Sequence, residues 1–225
     1  MKSIIALGFA LLLTNTSFSQ NVTETENLIC WQAEFKFKPQ DFTGKLADNE
    51  DLEITCELFD FCTRSTFDVA SILDVPVIQE QRGELLEKAY FAPLFEKTTS
   101  TTVKPNDSIG FLKQKVLFDI NELSARFARQ QLDTLSKQFN GEYGAIALLF
   151  KDVRQNSINL RESLSSEYIN EVYQEPKEGA YSKWRLILDE ALEDSKQYQT
   201  TEEECTRLLT NKPLITNYDV SKRYN

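Results

Sequence analysis

The chain has 225 residues, of which 41% are hydrophobic and 11% aromatic, and this excludes a wholly disordered protein. It carries 25 Lys and Arg against 35 Asp and Glu, a formal charge of −10, so we expect no nucleic-acid partner and no binding to anionic lipid. The complete absence of His removes the commonest general base, the Ser-His and Cys-His nucleophile pairs and every imidazole metal ligand.

The first residues predict an exported protein. Lys2 precedes an apolar run over residues 4–13, and the small residues Ser17 and Ser19 suit cleavage by signal peptidase after Ser19. The alternative is an N-terminal membrane anchor, but the run is shorter than the about 20 apolar residues that a spanning helix needs. We therefore predict a periplasmic or extracellular protein with no integral membrane segment after cleavage. Its predicted parts are a signal peptide over 1–19, a single domain over 20–200 and a C-terminal tail over 201–225.

Four Cys remain after the predicted cleavage site, and an even number in an exported chain permits two disulfides. Their spacing is not that of a zinc ribbon, because no CxxC pair occurs. We expect Cys56 and Cys62 to close a small loop and Cys30 to tie the first strand to Cys205. The alternative is one or more buried free Cys.

The first half of the chain has the patterns of β-strands. Residues 29–37 and 52–61 alternate apolar with polar side chains, which predicts two strands. Residues 66–80 and 84–95 hold further short β-type runs, interrupted at Pro76 and Gly83. We expect these segments to form a small antiparallel sheet.

After Pro105 the apolar residues recur at intervals of three and four, the pattern of amphipathic helices. It predicts helices over 107–139 and 143–173, ended by Asn140-Gly141 and by Glu175-Pro176, and a third helix around Trp184. The last residues are weakly patterned. Strands before helices predict an α+β fold, in which a small N-terminal antiparallel sheet is followed by a bundle of about three long helices.

Two segments together resemble a known family. They are Trp31-x-x-x-x-Lys36-Phe37-x-x-x-Asp41-Phe42-x-Gly44 and Leu112-Lys113-Gln114-Lys115-Val116-Leu117-Phe118-Asp119-Ile120-x-Glu122-x-x-Ala125-Arg126. They are similar to motifs of exported bacterial proteins of unknown function that are regarded as zincin-like, zinc-dependent peptidases. The helix of that family carries His-Glu-x-x-His-Phe-Asp-Ile, then an Ala-Arg pair. The likeness covers roughly residues 29–192 and implies a degenerate zincin-like fold.

The zinc motif itself is lost. When the Phe-Asp-Ile triplets are aligned, Lys113 and Leu117 stand where the family has its two His, and Gln114 stands where it has Glu. In a looser alignment, Gln174 occupies the place of a later His, the candidate third ligand. A Lys ammonium has no lone pair, an alkyl group cannot coordinate, and an amide cannot accept a proton as a carboxylate does. We therefore predict that the helix and the cleft persist without metal or cofactor.

Acidic residues of the same helix offer a different chemistry. Asp119 and Glu122 lie at i and i+3, on adjacent parts of the helix surface. In the family the first of these would orient a ligand His, whereas here we expect it to pair with Arg126 or Lys115. Two acids flanking a cleft without basic partners would instead serve a hydrolase that needs no metal.

The leading hypothesis is a catalytically inactive relative of the peptidase family that binds an unknown peptide or protein. Lys113 then either offers a positive charge to a ligand carboxylate or points to solvent. The alternatives are a hydrolase that uses carboxylates without metal and a structural interaction protein of the cell envelope. An active metallopeptidase is disfavoured by the lack of His.

Overall fold

The computed structural model describes residues 22–78, 86–138 and 144–223. The predicted signal peptide and the predicted helix end at Asn140-Gly141 lie outside these residues. Within them the chain forms a mixed α/β structure with a four-stranded antiparallel sheet and five α-helices. This agrees with the predicted combination of an antiparallel sheet and long helices.

Four strands and five helices define the architecture. The strands are β1 (Leu28–Cys30), β2 (Thr63–Pro76), β3 (Lys88–Thr102) and β4 (Tyr218–Val220). The helices are α1 (Leu52–Phe59), α2 (Ser108–Gln138), α3 (Ala145–Ile169), α4 (Ala180–Asp194) and α5 (Glu202–Thr210). A π-helical turn, Asn170–Gln174, directly continues α3.

The sheet is built on one long antiparallel pair. Its strand order is β1-β3-β2-β4, and β2 pairs with β3 from Thr63 opposite Thr102 to Asp74 opposite Lys88. This confirms β structure within the predicted runs over 66–80 and 84–95, of which residues 79–85 lie outside the described part of the chain. The two outer strands are short, with three residues each.

The strand predicted over 52–61 is wrong, because Leu52–Phe59 forms helix α1. A disulfide joins Cys56 to Cys62, and the Cα atoms of these two residues are 4.2 Å apart. Six residues of extended strand would separate them by about 20 Å, so a strand and this disulfide are incompatible. The alternating apolar positions that resemble a strand remain largely exposed, at Ile54 and Leu58.

The strand predicted over 29–37 is also shorter than expected and ends at Cys30. Beyond it the chain leaves the sheet, and Phe35 and Phe37 pack against the rings of Phe95 and Phe118. Burial of these aromatic rings outweighs continued strand pairing.

Helices cover both faces of the sheet. One face carries Val69, Leu73 and Phe91, which pack against the apolar sides of α2 and α3. The other face carries Ala70, Ile72, Ala92 and Leu94, which pack against α5. Successive strand residues point to opposite faces, so both halves of the alternation are used.

The segment after residue 200, where the sequence suggests a weakly patterned tail, holds α5 and β4. Cys205 of α5 forms a disulfide with Cys30 of β1. Arg207 is fully buried and donates to Asp74 of β2 at 2.6 and 2.7 Å. The helix begins with a capping box at Thr201 and Glu204. This signal is present in the sequence, but the apolar pattern that follows it is too short to indicate a helix by itself.

Both expected disulfides, Cys30–Cys205 and Cys56–Cys62, are therefore confirmed, and none of the four Cys is free. Disulfides of this kind are compatible with an exported chain. In the part of the chain that the structure describes, no helix combines the length and the apolar character needed to cross a bilayer.

Candidate functional site

Helix α2 presents two opposite faces to different surroundings. Residues advance by about 100° along an α-helix, so Leu112, Lys115 and Asp119 share one side. Gln114 and Leu117 lie on the opposite side. We call the first side the cleft face and the second the core face. The positions that the family resemblance assigns to metal ligands fall on or beside the core face.

The core face is closely packed. Gln114 is 1% exposed, and its Nε2 donates to the Thr63 carbonyl oxygen at 2.9 Å and lies 3.5 Å from the Tyr173 hydroxyl. Leu117 is 6% exposed and belongs to an apolar cluster with Tyr168 and Tyr173. Side chains therefore fill the space beside these two positions.

Lys113 stands at the edge of the core face. Its Nζ lies 4.8 Å from the centre of the Tyr173 ring and 3.7 Å from Oδ2 of Asp60. The side chain is only 16% exposed, so it does not simply extend into solvent. Gln174 is exposed and lines a small cleft of about 180 Å³ together with Phe61 and Tyr173.

These residues do not fit a zinc ion. Zinc in proteins is held by Cys thiolates, His nitrogens and carboxylate oxygens, whereas the four positions here are Lys113, Gln114, Leu117 and Gln174. The Nε2 atom of Gln114 is already committed to Thr63. Residues 22–78, 86–138 and 144–223 also bring together no group of three or more His, Cys, Asp or Glu that could hold a metal.

A larger cleft of about 660 Å³ opens on the cleft face of α2. The chain around Trp31 forms one wall and α4 forms the other, with Tyr181 and Arg185. Aromatic and apolar side chains alternate there with charged ones. The further lining residues are Ala33, Glu34, Phe35, Lys36, Leu112, Lys115, Asp119, Arg126, Asp189, Leu192, Glu193, Lys196 and Gln199.

Asp119 is the central polar group of this cleft. Its Oδ1 accepts hydrogen bonds from Trp31 Nε1, at 2.7 Å, and from Lys115 Nζ. Its Oδ2 accepts from an Arg185 amino group at 2.6 Å. The predicted pairing with Lys115 is therefore found, whereas Arg126 has other partners. Three donors from three different residues fix the orientation of this carboxylate in the cleft.

Burial acts on both cations beside Asp119. It lowers the pKa of Lys115 below the usual value, although the carboxylates of Asp119 and Glu122 oppose the shift. Burial also disfavours the charged form of Arg185, but Asp119 and Asp189 outweigh it, and the net effect raises the pKa of Arg185. The buried Nε of Arg185 finds no hydrogen-bond partner in the described part of the chain.

Glu122 belongs to a separate buried network. It accepts from Arg126 Nε at 2.7 Å and from the Thr200 amide and hydroxyl at 2.9 and 2.5 Å. Arg126 also donates to the Leu192 carbonyl, and its guanidinium carbon lies 5.4 Å from the centre of the Trp31 ring. The two predicted cleft acids thus both have basic partners, which is not the arrangement expected of a carboxylate hydrolase.

Sequence reasoning missed two members of the cleft. Trp31 was noted only as the start of the first resembling motif. Its side chain is 3% exposed, and its indole positions Asp119. Arg185 was not singled out at all. Its spacing from Asp189, i to i+4 on the predicted third helix, was the available signal, but such pairs are common on helix surfaces.

Comparison with protein-family models, with curated proteins and with solved structures finds no match. The function is therefore argued from the cleft and from the chemistry of its residues.

Proposed function

We propose that this protein is an exported, catalytically inactive relative of the zincin-like peptidase family that binds a peptide or protein segment. The ligand lies in the 660 Å³ cleft between the chain around Trp31, the cleft face of α2, and α4. The observation that carries the proposal is the state of Asp119. This acid lies at the cleft, where a hydrolase would need a reactive group, yet both of its oxygens are already occupied by Lys115, Arg185 and the Trp31 indole.

The chemistry of the core face supports the loss of catalysis. A zincin needs two imidazoles and a carboxylate on one helix side, to hold the metal and to accept a proton from its water. Lys113, Gln114 and Leu117 supply none of these groups. Their contacts with Tyr173 and Thr63 make this side of α2 part of the protein interior.

The contacts between the two resembling motifs support a common ancestry of the fold. Trp31 opens the first motif, Asp119 belongs to the Phe-Asp-Ile triplet of the second, and the two side chains are hydrogen bonded at 2.7 Å. Gln114 and Tyr173, the neighbour of Gln174, are also in contact range at 3.5 Å. An unrelated amphipathic helix would have no reason to bring these positions together.

The alternatives receive less support. A hydrolase that works through Asp119 and Glu122 would need at least one of them without a basic partner, and both have such partners. An envelope interaction protein without a cleft would show an exposed apolar surface instead of a concavity. Ile54 and Leu58 of α1 are exposed, but the cleft is present as well.

The test is a combined binding and cleavage assay on the purified protein. Short synthetic peptides are titrated while tryptophan fluorescence is recorded, and the peptides are then recovered and weighed by mass spectrometry. We expect a saturable change that Trp31→Phe abolishes and Trp184→Phe retains, with the peptide intact. Cleaved peptide together with stoichiometric zinc and inhibition by a chelator would overturn the proposal.

A further inference from the structure

The cleft face of α2 carries an unusual charge for this protein. The chain has a formal charge of −10, yet five cations line the cleft against four acids. The cations are Lys36, Lys115, Arg126, Arg185 and Lys196, and the acids are Glu34, Asp119, Asp189 and Glu193. The cleft therefore has a net formal charge of +1 in a chain whose formal charge is −10.

Two of these cations are fixed in position, and neither uses all of its hydrogen-bond donors within the described residues. Asp119 holds Lys115 and Arg185 on opposite oxygens, so their side chains are ordered before any ligand arrives. A Lys ammonium has three donors and a guanidinium has five. Within the described residues, Asp119 is the one hydrogen-bond acceptor of Lys115, and Arg185 uses its two amino groups on Asp119 and Asp189.

The shape of the cleft adds an apolar requirement. Leu112, Phe35 and Tyr181 line it beside the two cations. The ammonium of Lys115 also lies 5.0 Å from the centre of the Trp31 ring. A ligand that fits must place an anionic group next to an apolar or aromatic one.

On the basis of the proposed function, we propose that the cleft recognises a carboxylate of the bound peptide. Lys115 and Arg185 hold this carboxylate, and an adjacent apolar side chain of the peptide packs against Leu112 and Tyr181. A carboxylate matches the planar guanidinium and receives charge-assisted hydrogen bonds from both cations. Asp119 acts as the positioning residue, because it orders the two cations without itself contacting the ligand.

Two sources can supply this carboxylate, the C-terminus of a peptide or an Asp or Glu side chain. The experiment is a calorimetric titration of the full protein with three N-acetylated peptides. The first is Ala-Ala-Phe-Leu with a free C-terminus, the second is the same peptide amidated, and the third is amidated Ala-Glu-Phe-Leu. Tight binding of the first alone identifies a C-terminal carboxylate, and tight binding of the third alone identifies an acidic side chain. Tight binding of both shows that the cleft accepts a carboxylate from either source.

We expect amidation of Ala-Ala-Phe-Leu to weaken binding about tenfold or more, the effect of losing hydrogen bonds to charged groups. Lys115→Gln should weaken binding of the carboxylate peptide by a similar factor. The matched control is Lys113→Gln, which changes the same residue type two positions away, on the other side of α2, and should leave the affinity unchanged.

The outcomes separate the two proposals. Equal affinity for the three peptides would overturn the carboxylate inference and leave binding in the cleft intact. Failure of all three peptides to bind would overturn the proposed function itself. The comparison among peptides uses the unaltered protein, so it stands even where Lys115→Gln impairs folding.

Discussion

The two faces of α2 carry different residue types and have different surroundings. On the core face, Gln114 and Leu117 are buried against Thr63 and Tyr173, and the helix holds the fold together. On the cleft face, Lys115 and Asp119 pair beside an open cavity of about 660 Å³. A helix of 31 residues thus combines a structural side with a side available to ligands. Neighbouring positions of one helix therefore serve either packing or the lining of a cavity, according to the side of the helix on which they lie.

The sharpest test of this difference is a pair of identical substitutions. Leu117→Ala should lower the free energy of unfolding by about 2–5 kcal/mol, because it leaves a cavity among Tyr168 and Tyr173. Leu112→Ala, on the cleft face, should change it by less than about 0.5 kcal/mol, since Leu112 is 52% exposed. Chemical denaturation of both variants measures the two values, and similar losses would show that the faces do not differ.

The two Trp residues offer a second pair, one on each side of α2. Trp31 Nε1 donates to Asp119 at 2.7 Å, and Trp184 Nε1 donates to Glu171 at 2.9 Å. Each Trp→Phe variant should lose about 1.5–3 kcal/mol of stability, the range for hydrogen bonds to charged groups. Only Trp31→Phe should also weaken peptide binding in a calorimetric titration. Weaker binding in Trp184→Phe alone would place the ligand on the wrong side of the helix.

A third prediction concerns a carboxylate placed on the core face, at position 114. Gln114→Glu should cost about 1–3 kcal/mol at neutral pH, because a buried carboxylate would face the Thr63 carbonyl in place of an N–H donor. Burial would raise the pKa of the new Glu above its unfolded value of about 4.3. The folded state then binds the proton more tightly than the unfolded state does. The loss of stability therefore shrinks as the pH falls towards about 4.3 and grows as the pH rises through the folded pKa.

The measurement is thermal unfolding of this variant and of the unaltered protein between pH 4 and 7, each compared at the same pH. Gln174→Glu serves as the control, because Gln174 is exposed and the same change there should be nearly neutral at every pH. A Gln114→Glu variant as stable as the control at pH 7 would show that the core face is open to water.

The last comparison, with the smallest expected difference between matched variants, concerns Lys113 and Lys115. Its ammonium lies 3.7 Å from the largely exposed Asp60 carboxylate, and exposed ion pairs contribute little. Lys113→Gln should therefore lower stability by less than about 1 kcal/mol. Lys115→Gln should lower it more, because Asp119 is nearly buried and would lose one of its two cations. Chemical denaturation of the two variants measures both losses. A larger loss of unfolding free energy for Lys113→Gln than for Lys115→Gln would reverse the assignment of the two faces.

The periodicity of the sequence was sufficient to predict the long helices, because their apolar patterns are extended and regular. For β2 and β3 it indicated only short, interrupted β-type runs, and it predicted neither the length of the two strands nor their pairing. The pattern of Leu52, Ile54 and Leu58 was misleading, since short apolar alternation does not distinguish a strand from a helix. The decisive constraint was the Cys56–Cys62 disulfide, which was itself expected and which a strand there would not permit. Local pattern and covalent constraint needed to be considered together.

The candidate site was predictable only in part. The position of Asp119 and its pairing with Lys115 followed from the helix period and from the charges in the sequence. The contribution of Arg185 did not, because it depends on how α4 packs against α2, a long-range contact that no local pattern specifies. Trp31 reaches Asp119 across 88 positions of the chain, and only the order of the two resembling motifs hinted at that contact.

The most direct test of the account is an NMR titration that follows the two indole N–H signals, one on each side of α2. Trp31→Phe assigns the signals, and the free-carboxylate peptide Ala-Ala-Phe-Leu is then added to the unaltered protein. We expect the Trp31 signal to shift to saturation while the Trp184 signal stays in place. A shift of Trp184 with Trp31 unchanged, on addition of the peptide or of zinc, would contradict it.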